Sequence, residues 1–279
     1  MQKIATIFNR HFFFLILLGF LILLKPNLEA SMYQAVYAYP ILPGKTETLR
    51  QIYQDQRKKT IEDNFKQDRL AYNKEMGWEI ASAWIQHLPG EDWHILFIKS
   101  KEPIVAENLC SKFRKLCEKG SKTANTIRSS YIETCGRDFC NLSSWVTFEP
   151  VLDIQVPFSP EELEGRIITE YAYILPILPN KKEAFVKYLR ENITNQEKYR
   201  YFQEVRKKVG IIEWQMWIQH DFERDVLVMR SIELDTISDF CNAWNNIRKN
   251  EEAMREHTEI TASATGLSPK DLIANLEKL

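Results

Sequence analysis

The sequence predicts an α+β protein built from two similar halves, each with the element order β-α-β-β-α-β. Residues 77–87 return as residues 210–220, and both copies end in Trp-Ile-Gln-His. Upstream of this stretch, residues 37–45 return as residues 173–181, with the shared pattern Ile-Leu-Pro followed by a turn residue and Lys. Elsewhere in each copy, some stretches have the residue pattern of strands and others have apolar residues at helical spacing. We therefore expect a tandem duplication of one unit.

Length and composition fit a folded globular chain. The protein has 279 residues, 44% of them hydrophobic and 27% charged, with a formal net charge of -1. A chain of this length can form one large domain or two domains of average size, each with a hydrophobic core. Because acidic and basic residues nearly cancel, composition gives no reason to expect nucleic-acid binding.

The N-terminus differs from the rest of the chain. Lys3 and Arg10 precede an unbroken apolar run at 12–24, and Ala30-Ser31 offers a small residue for cleavage. Residues 1–31 therefore resemble a secretory signal peptide, and an uncleaved anchor that attaches the chain to a membrane through 12–24 is the alternative, although the run is short for a full span. Either one predicts an exported or membrane-associated protein. A start at Met32 would instead leave a cytoplasmic protein.

Each half begins with a strand and a helix. The first strands are predicted at 33–39 and 169–174, where short runs of β-formers end at a proline. Apolar residues at helical spacing follow, and Gly77 and Gly210 stand where a helix C′ glycine is expected. The segments after these glycines predict hairpins, with arms at 79–86 and 93–99 in the first half and at 212–219 and 226–230 in the second.

A second helix and a last strand complete each half. The helices are predicted around 105–119 and 237–249, and the last strands at 145–156 and, more weakly, at 260–265. Ser268-Pro269 indicates the start of a short C-terminal helix, since serine caps helices and proline suits the first turn. The domains are thus 32–156 and 166–279, joined by a linker at 157–165. This element order is that of ferredoxin-like domains, two of which can pack sheet against sheet.

The chain resembles the dimeric α/β-barrel superfamily, which includes the antibiotic-biosynthesis monooxygenases. The resemblance rests on three segments. They are Leu42-Pro43-Gly44-Lys45 at the start of the first helix, residues 206–211 where the corresponding helix of the second half ends, and Trp-Ile-Gln-His at the end of the next strand. It implies that one chain forms the pseudo-dimer that two subunits usually form, with further oligomerisation optional. It also implies activities such as cofactor-free oxygenation, haem chemistry or small-molecule isomerisation. No catalytic residue set of those families matches this sequence.

Strand alternation separates the hairpin residues into two faces. We expect the polar face to point between the two sheets and to form a small-ligand site with Tyr37 and Tyr173, because polar groups on an apolar wall commonly make such sites. Its ligand-binding candidates are Tyr37, Ser82, Trp84, Gln86, Tyr173, Gln215, Trp217 and Gln219. Alternatively, Trp84 and Trp217 fill the inter-sheet core, each indole nitrogen bonded to a glutamine.

Glu213 is the candidate catalytic residue. It aligns with Ile80, so it is a polar residue present in only one copy, and a glutamate in an apolar wall can have a raised pKa and act as a general base. The alternative is a solvated or ion-paired carboxylate.

No metal ligand set or cofactor is predicted. His94 has no counterpart in the second half and is the candidate haem ligand, while His87 and His220 are expected to cap turns. The five cysteines contain no C-x-x-C pair, and Cys135 and Cys140 are the disulfide candidates if the protein is exported.

Two functions follow from these observations. The first is a protein that binds a small apolar or aromatic ligand between its sheets, with cofactor-independent monooxygenation or isomerisation as its candidate activities. The second is a non-catalytic, envelope-associated binding or structural protein whose barrel is filled by its own side chains.

Overall fold

Two antiparallel sheets pack face to face, and helices cover the outer face of each. The computed structural model describes residues 33–59, 63–220, 224–268 and 275–279. Each sheet has four strands, in the orders β1-β3-β2-β8 and β4-β6-β7-β5. The predicted α+β class is confirmed. The strands are β1 (Tyr33–Pro40), β2 (Trp78–Leu88), β3 (Glu91–Ser100), β4 (Thr147–Gln155), β5 (Ile168–Pro176), β6 (Ile211–His220), β7 (Asp225–Leu234) and β8 (Asn275–Lys278).

The helices come in pairs where the sequence predicts single ones. Breaks between paired helices coincide with capping residues: Ser121 accepts from the Ala124 amide, and Asn195 accepts from the amides of Glu197 and Lys198. Such side chains satisfy the orphan amides of a new helix start. The helices are α1 (Thr46–Lys59), α2 (Asp63–Met76), α3 (Ala106–Glu118), α4 (Lys122–Cys135), α5 (Pro160–Leu163), α6 (Lys182–Thr194), α7 (Gln196–Lys208), α8 (Ile237–Asn250) and α9 (Glu252–Thr265), with a 3₁₀ turn at Leu142–Ser144.

The fourth strand of each half lies in the sheet of the other half. β4 pairs with β6 and β8 pairs with β2, both antiparallel. The registers correspond, because Glu149 lies opposite Ile218 just as Glu277 lies opposite Ile85. The sequence predicts fourth strands but not this exchange.

The prediction of a strand at 260–265 is wrong, since these residues end helix α9. Their β-branched threonines are accommodated in the helix because Thr258, Thr261 and Thr265 each donate a hydroxyl hydrogen bond to the carbonyl four residues earlier. The helix ends at Gly266, which has a left-handed φ of 72°. The counterpart of β4 is instead β8, where a C-terminal helix is predicted. Residues 269–274, in which that helix would begin, lie outside the described residues.

Gly77 and Gly210 end the first helical segments as predicted. Their φ angles are +75° and +84°, a region that glycine enters without the steric penalty of a Cβ. At Gly210 an added Cβ would also lie 3.2 Å from the Cβ of Leu234. These glycines allow strands β2 and β6 to start directly after a helix.

The predicted leader, residues 1–31, lies outside the described residues. Within the described ranges, no helix is long and apolar enough to cross a membrane.

Candidate functional site

The space between the sheets is packed with side chains. Trp84, Trp93, Ile95 and Phe97 of the first sheet are at most 1% exposed and pack against strands of the second sheet. Trp217 packs against the same layer. The ligand site predicted between the sheets is therefore occupied by the core, as the alternative interpretation of Trp84 and Trp217 expects.

Gln86 and Gln219 connect the two sheets. Gln86 donates from Nε2 to the Ile174 carbonyl at 3.0 Å and accepts from the Ile174 amide at 2.7 Å. Gln219 makes the corresponding bonds with Ala38, at 2.6 Å to its carbonyl and 2.9 Å from its amide. Both glutamines are fully buried. Their partners are thus main-chain groups of the opposite sheet, not indole nitrogens.

Glu213 is ion-paired. Arg230, whose side chain is 4% exposed, donates to Glu213 at 2.5 Å and to Glu170 at 2.6 Å. The guanidinium also lies over the Phe97 ring, 4.5 Å from its centroid. Gln215 accepts from Arg230 at 3.1 Å, and Ser82 donates to Glu170 at 3.4 Å. This network holds the Glu213 carboxylate, which corresponds to the paired-carboxylate alternative.

Tyr37 and Tyr173 lie on the opposite faces of their sheets from Trp84 and Trp217. Along β1, Tyr37 and Tyr39 pack with the helices, whereas Val36 and Ala38 pack between the sheets. Placing Tyr37 and Tyr173 between the sheets is therefore wrong. Each tyrosine instead lines a cavity between its sheet and the covering helices.

The cavity in the first half has a volume of about 210 Å³. Its floor is sheet β1-β3-β2, and its walls come from helices α1, α2 and α4. Aromatic side chains dominate the lining. They are Tyr37, Tyr39, Tyr53, Tyr72, Trp78, Phe113, Tyr131, Phe139 and Trp145.

Several polar groups of this lining are buried and make no hydrogen bond of ordinary length and angle in the described structure. They are the hydroxyls of Tyr72, Thr123 and Tyr131 and the indole nitrogen of Trp78. Leaving such a group unpaired costs about 1–3 kcal/mol. Each has a polar neighbour, since Tyr72 interacts with Trp78, Tyr131 with Tyr53 and Thr123 with Asp68. Buried polar groups are nearly always satisfied, so a molecule in the cavity could complete the hydrogen bonding of these four.

A buried histidine adjoins the cavity wall. His94 is fully buried, and its Nε2 shares a hydrogen bond of 2.9 Å with the Tyr53 hydroxyl. Its ring lies between those of Tyr53 and Tyr131, with both centroid distances 5.3 Å. Burial lowers the pKa of His94 to about 3, so the imidazole is neutral at physiological pH. A haem iron would reach Nε2 only by displacing Tyr53 from this packed position.

Positive charge marks the more exposed part of the cavity. Arg57 of α1 is exposed and Arg69 of α2 is half-buried, and both line the cavity. Gln56 and Asn73 also belong to the lining, and none of the lining residues that the structure describes is Asp or Glu.

The cavity in the second half is smaller, about 70 Å³. Met216 lines it at the position that Ala83 occupies in the first half, and each of the two pairs with the corresponding residue of the neighbouring strand, Met229 or Leu96. A longer side chain at this one position accounts for part of the difference in volume.

The second cavity also contains Glu233, which is 1% exposed. Burial raises the pKa of Glu233 to about 7, and its Oε2 has no hydrogen-bond partner among the described atoms. Trp214 and His257 lie in the same wall. His257 shares a hydrogen bond of 3.0 Å with the Tyr188 hydroxyl, and burial lowers its pKa to about 4.

Sequence reasoning missed most of these residues. Tyr72 lies on a helix that sequence periodicity did not separate from the helix before it, and Tyr131 lies on α4, where no helix is predicted. Glu233 lies near the end of a strand predicted to finish at 230. The sequence feature that could have identified the cavity is a difference between the two copies. Such a difference drew attention to Glu213, and the alignment of Ala83 with Met216 is another.

Metal and disulfide chemistry find no support in the described residues. There, no group of three or more His, Cys, Asp or Glu side chains is arranged to hold a metal ion. All five cysteines are free, and the disulfide candidates Cys135 and Cys140 are not bonded to each other. Cys135 packs in the aromatic core of the first half, and Cys140 accepts, through its carbonyl, from Arg114.

Comparisons with known proteins give little further information. No protein-family model matches the chain, and no curated protein matches it. Among solved structures, a presumed monooxygenase from Fusobacterium nucleatum is similar at a TM-score of 0.37 and 8% identity, over 88% of each chain. A likeness at this level carries no argument about function.

Proposed function

We propose that the chain binds a small planar aromatic molecule in the cavity of its first half. The observation that carries the proposal is an aromatic cavity of about 210 Å³ whose buried phenol, hydroxyl and indole groups make no hydrogen bond of ordinary geometry. In another protein, an apolar cavity of roughly 150 Å³ is large enough to hold benzene. A mono- or bicyclic ring with polar substituents suits this volume and these donors.

Two further elements of the proposal concern construction. The two halves are tandem copies of one ferredoxin-like unit, and together they form an intrachain pseudo-dimer of the α/β-barrel kind. Support comes from the matched bonds of Gln86 and Gln219 and from the matched registers of β4 and β8. In this arrangement the inter-sheet layer is structural, and ligand binding belongs to the space under the helices.

Catalysis is a second candidate, favoured by the Tyr53–His94 pair at the cavity wall. Cofactor-independent oxygenation or isomerisation of an aromatic substrate requires a group that accepts a substrate proton. Because burial lowers the pKa of His94 to about 3, this imidazole is a weak proton acceptor. The geometry therefore supports binding ahead of turnover.

Ligand titration tests the proposal. Trp78 and Trp145 line the cavity, so intrinsic fluorescence should respond when aromatic compounds such as 2-naphthol and 2-naphthamide are added. Ala83→Met, which gives the first half the residue of the second, should weaken binding about tenfold or more, since overfilling a packed site costs about 1–3 kcal/mol. Met216→Leu in the second cavity is the matched control and should leave the affinity unchanged. If no aromatic compound binds the folded protein, the proposal is wrong.

Turnover has a separate test. Any bound compound should be incubated with the protein in air, and products and oxygen consumption should be followed. A rate of turnover that His94→Gln abolishes without changing affinity would establish the catalytic function. Recovery of the compound unchanged would show that the protein binds it without turnover.

A further inference from the structure

A buried carboxyl group lies in the wall of the second cavity. Glu233 on β7 is 1% exposed and lines the space of about 70 Å³ between the second sheet and its helices. Its Oε2 makes no hydrogen bond of ordinary length and angle, and the Ser231 hydroxyl is its polar neighbour. Burial disfavours the charged form of such a group and raises its pKa to about 7. A ligand that donates hydrogen bonds and carries positive charge would stabilise the carboxylate.

Other polar groups of this wall also accept hydrogen bonds. Thr258 and Thr261 of α9 line the cavity, and each donates its hydroxyl hydrogen to the carbonyl four residues earlier. The remaining lone pairs of their oxygens can only accept. The Trp214 indole nitrogen is a donor, and the Tyr173 hydroxyl is its polar neighbour. Together with Glu233, the two threonines give the wall three acceptors, which matches the three N–H donors of a primary ammonium group.

The rest of the wall suits a cation with an alkyl group. None of the lining residues that the structure describes is Lys or Arg. His257 belongs to the lining, but burial lowers its pKa to about 4, so the imidazole is neutral at physiological pH. Arg206 lies over the Trp214 ring, 5.5 Å from its centroid, and does not belong to the lining. Aromatic rings attract cations through their faces and pack well against alkyl groups. The rings of the wall include Tyr171, Tyr173, Trp214, Phe240 and Trp244.

We propose that the second cavity binds a small primary alkylammonium ion, with its N–H groups on Glu233, Thr258 and Thr261 and its alkyl group among the aromatic rings. This site is separate from the aromatic site of the first half and does not depend on the function proposed there. Since a cavity of roughly 150 Å³ holds the six carbons of benzene, about 70 Å³ suits an ion of about three non-hydrogen atoms, such as ethylammonium.

A matched pair of compounds tests the proposal on the intact protein. Ethylammonium and ethanol have the same number of non-hydrogen atoms and differ in charge. At about pH 8, Glu233 is mostly ionised and an alkylamine, like lysine, keeps its proton. Titration at constant ionic strength should shift the NMR signals of the Trp214 and Trp244 indole N–H groups, assigned with Trp214→Phe and Trp244→Phe. We expect ethylammonium to saturate these shifts in the millimolar range, as its few atoms allow, and ethanol to bind at least about tenfold more weakly.

Glu233→Gln is the decisive variant, because it keeps the shape of the side chain and removes its charge. It should reduce the affinity for ethylammonium at least about tenfold, to that for ethanol. Glu259→Gln is the matched control, since Glu259 is exposed on α9 beside Thr258 and does not line the cavity. Its loss should change the affinity by less than about twofold, because an exposed charge is largely screened by salt.

The remaining outcomes would overturn the proposal. Equal affinity for the two compounds would show that the site does not recognise charge, and full affinity in Glu233→Gln would place the cation elsewhere. A loss of the same size in Glu259→Gln would assign the effect to net charge. Absence of a saturable shift with either compound would show that the second cavity takes neither, whatever binds in the first. The comparison on the unmodified chain decides even where Glu233→Gln does not fold.

Discussion

The Gln86 amide pairs with the main chain of Ile174 as a neighbouring strand would. Ile174 lies on β5, an edge strand of the second sheet, and both its amide and its carbonyl bond to Gln86. Ala38 lies on β1, an edge strand of the first sheet, and Gln219 bonds to it in the same way. Edge strands present unpaired main-chain groups, and these two glutamines satisfy them at the junction of the sheets.

Replacing Gln86 with leucine should destabilise the fold strongly. The change leaves the amide and carbonyl of Ile174 buried without partners, so we expect a loss of about 2–4 kcal/mol in the free energy of unfolding. Gln219→Leu should cost a similar amount, and Gln51→Leu on the exposed face of α1 should cost little. Urea denaturation of the three variants measures this. A Gln86 variant as stable as the wild type would show that the inter-sheet bonds are dispensable.

The repeated Trp-Ile-Gln-His stretch has a structural explanation. Trp84 packs between the sheets, Ile85 is fully buried and Gln86 closes the edge. His87 bonds to Asp92 at 2.8 Å, and His220 bonds to Asp225 at 2.6 Å. The repeat could be predicted from sequence because packing requires the same residues in both halves. It could not indicate the cavity, which depends on residues that differ between the halves.

The exchange of fourth strands lay beyond sequence reasoning for a physical reason. Strand propensity at 147–155 shows that a strand forms, but the choice of sheet depends on tertiary contacts that local pattern does not encode. β8 is even harder to predict, because its four residues, Asn-Leu-Glu-Lys, carry little strand propensity. Conversely, the threonines of α9 favour a strand locally, and tertiary packing with hydroxyl back-bonding makes them helical.

Glu213 should prove structural rather than catalytic. Glu213→Gln removes one of the two carboxylates that Arg230 contacts, and the guanidinium stays buried with Glu170 as its remaining ionic partner. We expect a loss of about 1–3 kcal/mol in stability, since partners of buried charges are costly to remove. Affinity for 2-naphthol should not change, because Glu213 does not line the cavity. Unfolding curves and fluorescence titration check the two parts, and a variant that folds normally but loses ligand binding would restore Glu213 as a site residue.

Glu233 should make stability depend on pH. Burial raises its pKa from 4.5 to about 7, so the folded state holds a proton that the unfolded state has released between these values. The contribution is present in full below about pH 4.5 and is lost as pH rises towards 7, an effect of about 3 kcal/mol at 1.36 kcal/mol per pKa unit. Glu233→Gln should flatten this part of the curve of unfolding free energy against pH. The exposed variant Glu259→Gln should retain the slope, and a slope unchanged in Glu233→Gln would assign the effect to another group.

Exchanging the residues at positions 83 and 216 should exchange the properties of the two cavities. Met216 is 3% exposed, and truncating it to alanine should cost about 2–5 kcal/mol, because the second half then carries a larger void. Ala83→Met adds a side chain where about 210 Å³ is already open, so it should change stability by less than about 1.5 kcal/mol while weakening ligand binding. Thermal unfolding and fluorescence titration of both single variants and of the double variant measure these effects. The asymmetry of the two cavities would have another origin if Met216→Ala were as stable as the wild type and Ala83→Met still bound aromatic ligands normally.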